Sequence, residues 1–348
     1  MFMGKKMNKT FSSNRMKFLG VPLTNWRDPK EELPDPKVEA HGLRSDPSSD
    51  LRPDSANRVK RAKKLYAKLK KNKVWDDDRS VWYPGRMIVI YDTGSKLVFE
   101  TNLYTSDQLW GALAEFFFGD PDLARTRYSL LKTMFWNDKK QLWNRGITSE
   151  ELKNVRFVDV DSEKWKKFPD LREDYSLEDQ FVGVLCEYYL GDRDLAERFY
   201  RRVLKLWGKN YSKDDAQYLL LNSLVRSVIY DFDQSKKGYK RLRSKLFYEP
   251  TSLWLHGLRS PDDVYYLPDQ LLGVLLEGHF SDDRSTKDID MYRYLKKVFT
   301  DNDDKWYYRI ELWFDGFRVV RGTLQTYIKF LELFVIAVVF EGLELKSR

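Results

Sequence analysis

Three stretches of this sequence carry an acid, an amide and a second acid at one spacing: Asp107-Gln108 with Glu115, Asp179-Gln180 with Glu187, and Asp269-Gln270 with Glu277. Each also has glycine at its fifth place, Gly111, Gly183 or Gly273. Two carboxyl groups facing each other across a bond, one protonated and one ionised, are what glycoside hydrolysis requires. Asp107, Asp179 and Asp269 are therefore the candidate catalytic residues. Gln108, Gln180 and Gln270 offer both donors and acceptors to sugar hydroxyls. Trp82, Tyr83, Tyr265 and Tyr266 lie nearby in sequence, and their ring faces suit stacking on a pyranose. A structural reading stands beside this one, because an acid in the first turn of a helix is favoured by the helix dipole and can cap free N–H groups. Three copies exist where a reaction needs two, so at least one copy is structural.

The elements that position these residues follow from the repeat. Each motif runs into an apolar helix, which a short turn joins to a more polar, amphipathic helix over 121–135, 193–206 and 288–299. Behind the outer helices an aromatic, a polar turn and a tryptophan recur at 74–82, 135–143 and 247–254, with a degenerate fourth copy at 299–306; this pattern fits short hairpins. The copies stand 72 and then 90 residues apart, so the longer interval holds a further pair, with its inner helix over 214–230 and the next outer helix over 237–247. The last inner helix falls over 323–340. The expected fold is all-α: an α/α toroid of about five outer-inner helix pairs with short β-hairpins in the loops at one end. The glycines are expected to let neighbouring helices approach closely. Glu115, Glu187 and Glu277 are expected to find partners inside the ring or to face water in a central funnel. The outer-to-inner connections are long and gather at the end that holds the motif aspartates, which makes that end the expected functional surface.

Composition bounds the alternatives. Residues 21–56 hold six prolines among polar residues, so 1–56 reads as an extended or disordered arm and 57–348 as the toroid domain. The net charge is +8, but 53 acidic residues are interspersed with 61 basic ones, which reads as a mixed surface and argues against a nucleic-acid partner. Cys186 is the only cysteine, and the three histidines have no metal-ligand spacing, so neither a metal nor another cofactor is expected. No secretory signal or membrane-spanning run is apparent, which makes cytoplasmic the default location.

The repeated helix pairs with acidic inner-helix starts resemble the α/α-barrel glycosidases and related polysaccharide lyases. The string Asp269-Gln270-Leu271-Leu272-Gly273 is similar to the stretch around the acid/base aspartate of the β-glucosidase family that includes the non-lysosomal glucosylceramidase, although that family's following Gln-Trp is absent here. The resemblance implies a carbohydrate-active protein, a glycoside hydrolase with Asp269 or Asp107 as general acid and an oligosaccharide or polysaccharide as partner. It matches no nucleophile. A lyase would use a tyrosine base such as Tyr104, Tyr175 or Tyr266. The competing reading is a non-catalytic binding or assembly protein on a degenerate toroid, self-associating or holding a polymer through the arm. A cyclase motif at Asp301–Asp304 is a weaker third.

Overall fold

The structure is a computed structural model that describes residues 59–71, 75–76, 81–82, 86–91, 94–99, 103–147, 175–210, 215–257, 264–281, 286–300, 306–307, 309–313, 316–320 and 326–345. The chain divides into units 1–46 and 47–348, and all the described residues lie in the second. The expected arm, Tyr83 and the Asp301–Asp304 turn fall outside them.

Among the described residues, ten helices alternate between two layers. The outer ones are α1 (Lys60–Lys70), α3 (Pro121–Phe135), α5 (Arg193–Asn210), α7 (Phe232–Leu246) and α9 (Thr286–Phe299). The inner ones are α2 (Thr105–Phe118), α4 (Leu177–Leu190), α6 (Ala216–Ile229), α8 (Leu267–Phe280) and α10 (Thr326–Val335), the last continuing as a π-helical turn over Ile336–Phe340. Each inner helix packs on the next, and α10 packs back on α2, so the five form a closed ring. The fold is the α/α toroid that the repeat predicts. Among the described residues no helix is long and apolar enough to cross a membrane.

The two layers start differently. Outer helices α3, α5 and α7 begin on an aspartate that accepts from backbone N–H groups of the first turn: Asp120 before α3 and Asp231 before α7 each take two, and Asp192 takes that of Leu195 in α5. Inner helices α2, α4 and α8 begin on Tyr104, Ser176 and Tyr266, with no side-chain cap. At the far end of the chain the Glu341 carboxylate accepts from the N–H groups of Arg61 and Ala62, which caps α1 and ties the last unit to the first.

Hairpins form where the aromatic-turn-tryptophan pattern places them: β1–β2 (Trp75–Asp76, Val81–Trp82), β6–β7 (Trp136–Asn137, Leu142–Trp143) and β9–β10 (Phe247–Tyr248, Leu253–Trp254). The fourth is reduced to a bridge between Thr300 and Trp306. A longer antiparallel pair, β3 (Arg86–Tyr91) with β4 (Gly94–Phe99), and a three-stranded sheet of β11 (Val264–Tyr266), β12 (Arg309–Trp313) and β13 (Gly316–Val320) also occupy the long connections. β5 (Leu103–Tyr104) pairs with β8 (Gly146–Ile147).

The shared motif residues hold these hairpins. Gln108 accepts from the Trp82 N–H at 2.9 Å and donates to the Trp82 carbonyl at 2.5 Å. Gln180 clamps Trp143 in the same way at 2.8 and 2.7 Å, and Gln270 clamps Trp254 at 2.8 Å for both bonds. The glycine one turn later receives the indole: a Cβ on Gly111, Gly183 or Gly273 would lie 2.3, 2.1 or 1.9 Å from the indole nitrogen of its tryptophan. The expectation that glycine brings helices together is corrected here, since it makes room for a ring.

The motif glutamates also differ from expectation. They point outward, between the layers, and not into the ring. Tyr66, Tyr128 and Tyr239 of the outer helices donate to Glu115, Glu187 and Glu277, and Tyr292 does the same to Glu332. Cations one turn further along the outer helix complete the first three sites: Lys70 to Glu115 at 2.9 Å, Lys132 to Glu187 at 2.6 Å and Arg243 to Glu277 at 3.5 Å. Arg127 also pairs with Glu115. In the remaining unit the carboxylate position is Arg226, which donates to Gln234 at 3.1 Å, and the cation position is Leu204; Tyr200 bonds to Asn222 instead.

With the carboxylates turned outward, the axis of the ring is apolar. Trp110, Leu113, Leu185, Leu224, Leu275 and Phe334, drawn from all five inner helices, line a small cavity there. Cys186 is buried beside it in α4 as an unoxidised thiol.

Gln180→Ala would remove both hydrogen bonds of a buried backbone segment, at a cost of about 2–5 kcal/mol. Gly183→Ala would force the Trp143 indole aside, at about 1–3 kcal/mol. Urea unfolding should show both losses beside Lys139→Ala, an exposed control expected within about 0.5 kcal/mol of the unsubstituted protein. An unchanged midpoint for Gln180→Ala would remove the clamp as a source of stability.

Candidate functional site

The N-terminal ends of the inner helices are covered by the chain that follows the hairpins. The carbonyl of Arg145 accepts from Thr105 N–H at 2.9 Å, and that of His256 accepts from Ala216 N–H at 2.7 Å, so each segment supplies an acceptor to the start of the preceding inner helix. Gly146 and Gly257 continue these contacts by pairing with Tyr104 and Asp215. At Gly146 a Cβ would lie 2.3 Å from the Leu103 carbonyl oxygen, which explains the residue. Arg145 and His256 thus hold one structural position, two residues past a clamped tryptophan.

From that position each side chain acts on the motif aspartate of its own unit. His256 Nδ1 lies 2.9 Å from Asp269 Oδ2, while Asp269 is fully buried and its Oδ1 has no hydrogen-bond partner. The His256 side chain retains 34% of its exposure, and its Nε2 lies 3.8 Å from Asp215 Oδ2. Asp215 in turn caps α6 by accepting from Gln217 N–H at 3.0 Å. The Tyr266 ring lies against His256 with centroids 4.3 Å apart. In the neighbouring unit the Arg145 charge opposes the rise in the Asp179 pKa, and Asp179 accepts from the Ser106 N–H on α2.

Burial raises the acids of this end. Loss of hydration lifts Asp269 to about 7 against the bond and charge of His256. Glu178 is lifted to about 7 by the same cause, against hydrogen bonding from Gln217 and the charge of Arg145. Asp179 and Asp215 are also raised by desolvation. His256 moves upward because its bond to Asp269 outweighs its own burial. Lys329 is lowered by burial, with the Asp107 charge opposing the change.

The sequence-predicted residues fall into different surroundings. Asp107, Asp179 and Asp269 are all buried, with Asp179 accepting from the Ser106 N–H of α2 and Asp269 bonded to His256. Gln108, Gln180 and Gln270 have both ends of the amide engaged by tryptophan backbone, which gives them a structural role. Trp82 is a core residue seated over Gly111. Tyr265 is buried, with its hydroxyl accepting from Thr251. Tyr266 belongs to the site through His256. Of the other tyrosines considered as bases, Tyr175 accepts from Asn137, and Tyr104 is the residue before α2.

Sequence reasoning missed His256, Asp215, Glu178 and Arg145. The signal available was the shared place of Arg145 and His256 two residues after Trp143 and Trp254. The sequence spacing of the histidines also suggested no metal site, yet folding brings Asp215, His256 and Asp269 together with ligand atoms within 4.8 Å of one another. One imidazole and two carboxylates form a donor set suited to a divalent first-row ion.

No known protein family and no curated protein matches the sequence. Solved structures similar in shape include an endo-β-1,4-glucanase from Acetobacter xylinum, at 10% identity over 82% of this chain and 99% of that one, with a TM-score of 0.46. A cellobiose 2-epimerase from Bacillus thermoamylovorans is similar at 10% identity over 81% and 88%, with a TM-score of 0.45. A D-mannose isomerase is similar at 9% identity over 80% and 85%, with a TM-score of 0.44. No residue role is transferred from these likenesses.

The raised acids set a pH dependence of stability. Asp269 and Glu178 are most stabilising when protonated, so their contribution falls as pH rises from the unfolded carboxylate range near 4 to about 7. His256, also raised, contributes below about 6.5 and loses that contribution as pH rises through its folded pKa. Glu115 is lowered by its hydrogen bonds and cations, so its contribution is present above about 4.5 and lost in acid. Melting temperature measured across pH should therefore peak at about pH 4–5. Asp269→Asn should flatten the alkaline limb, and an unchanged limb would show that Asp269 is not titrating as its burial requires.

Proposed function

We propose that the protein is a carbohydrate-active enzyme whose acid–base group is His256, oriented by Asp269, at the N-terminal end of inner helices α4, α6 and α8. The observation that carries this reading is a buried carboxylate bonded to Nδ1 of a histidine whose ring is one-third exposed. Asp269 holds the proton on Nδ1, which leaves the Nε2 lone pair to accept one from a substrate. The imidazolium that forms is stabilised by Asp269 on one side and by Asp215 on the other. Glu178, with a pKa near 7, can carry a proton at neutral pH and serves as the second group. Gln217, Tyr218 and Tyr266 add donors, acceptors and ring faces suited to a polyhydroxylated substrate. In glycosidic cleavage Glu178 protonates the departing oxygen and His256 activates water, so the acid–base pair differs from the two motif aspartates expected from sequence.

A second reading is favoured by three observations: the motif aspartates are buried, the motif amides are engaged, and the ring axis is apolar. Under it the protein is a non-catalytic binding or assembly module.

The test is turnover of aryl glycosides, oligosaccharides and reducing sugars by the unsubstituted protein, His256→Gln and Glu178→Gln. His256→Gln keeps the backbone carbonyl that caps α6, so folding is expected to survive. A loss of about 10²–10⁴-fold in kcat with either substitution supports the enzyme. No turnover by the unsubstituted protein on any substrate, with both variants stable, would sink it in favour of the binding module.

A further inference from the structure

We infer that the face made by outer helices α5 and α7 binds the phosphate backbone of double-stranded nucleic acid. The fold sorts charge by layer. The outer helices together hold twenty-five lysines and arginines against six acids, whereas the inner helices hold two against eight. Acids and bases that are interspersed along the sequence are therefore separated radially. Neighbours in sequence therefore do not share a surface, and the mixed composition does not exclude a nucleic-acid partner.

Helices α5 and α7 belong to adjacent units of the ring, because α4 packs on α6. Between them they hold twelve basic residues and three acidic ones. Arg202 and Lys205 on α5 and Lys237, Lys240 and Arg241 on α7 are exposed, and among the described residues no ion pair engages them. Arg201 Nε donates to the Tyr230 hydroxyl just before α7, which fixes one helix against the turn leading into the other.

The chemistry selects among polyanions. The only exposed large hydrophobic residues among those described are Leu123 and Tyr248, and neither is on these helices. A bilayer surface would be held by an apolar face inserted beneath the charges, and that face is absent from α5 and α7. Single strands are held by exposed aromatic platforms, which these helix faces also lack. Cations without either feature suit a duplex backbone, read through charge and without base contacts.

The test is fluorescence anisotropy with a short labelled duplex of mixed sequence across a salt series. Engagement of about five phosphates predicts a log–log slope of about −4.5, or binding about 500-fold weaker at 200 mM than at 50 mM salt. A variant combining Arg202→Glu, Lys205→Glu, Lys240→Glu and Arg241→Glu should bring the slope to about −1 or abolish binding, with the urea midpoint unchanged. His256→Gln should bind the duplex normally, which separates this inference from the proposed activity. Three outcomes overturn it: no duplex binding at 50 mM salt, binding to vesicles of anionic lipid in its place, or equal loss from Lys64→Glu with Lys68→Glu on α1.

Discussion

A glycine one turn into an inner helix leaves space for one indole, and a glutamine three residues earlier holds the backbone of the same tryptophan at both its N–H and its carbonyl. The position of everything else at the loop end follows from that clamp. A hairpin fixed at its tryptophan has a fixed exit, and the chain two residues later is set down on the start of the neighbouring inner helix. The hairpin thereby fixes its own helix and supplies the acceptor missing from the preceding one. Helix ends need such partners, and α2, α4 and α8 have no side-chain caps of their own. Two such links are present, from the segment after Trp143 to α2 and from the segment after Trp254 to α6, and Glu341 caps α1 at the seam.

The second constraint is where the motif glutamates go. A carboxylate pointing into a five-helix ring would need water or a cation beside it, and the ring is too narrow to supply either once Trp110 and Phe334 occupy it. Turned outward, each glutamate meets a tyrosine and, in three units, a cation from the outer layer. This leaves the axis to apolar side chains and confines any polar chemistry to the helix N-terminal end. It also sorts the charges of the whole domain, acids between or within the layers and bases on the wall.

The architecture was legible because it repeats. The hairpins at 135–143 and 247–254, the outer helix over 121–135 and the direction of alternation were all readable from period and composition, and the structure places them there. The site was not legible for the same reason. Asp-Gln-x-x-Gly recurs because the clamp recurs, so the residues most conspicuous in sequence are the ones that build the scaffold. Nothing in the spacing of Asp215, His256 and Asp269 marks them as neighbours, since their proximity depends on the hairpin of one unit being laid across the helix start of another. The strands β3, β4, β12 and β13 lay inside connections whose only visible property was length.

The histidine site lies where the repeat is broken. Only four residues separate α5 from Asp215, where the hairpin segments 136–143 and 247–254 each hold eight, and α6 has Tyr218, Leu219, Asn222 and Arg226 where the other motifs have Asp, Gln, Gly and Glu. With no tryptophan to seat, Asn222 takes the glycine position and turns to Tyr200. The loop end above α6 is therefore free of the clamp that fills its neighbours, and the side chains of the flanking units turn toward it: Glu178 from α4, and His256 from the hairpin of α8. A unit that repeats faithfully buries its aspartate against its own partners. Half-exposed chemistry requires a unit that does not, and α6 is that unit. The same break explains why one histidine, in a protein with three equivalent motifs, keeps a nitrogen open to solvent while its aspartate remains buried.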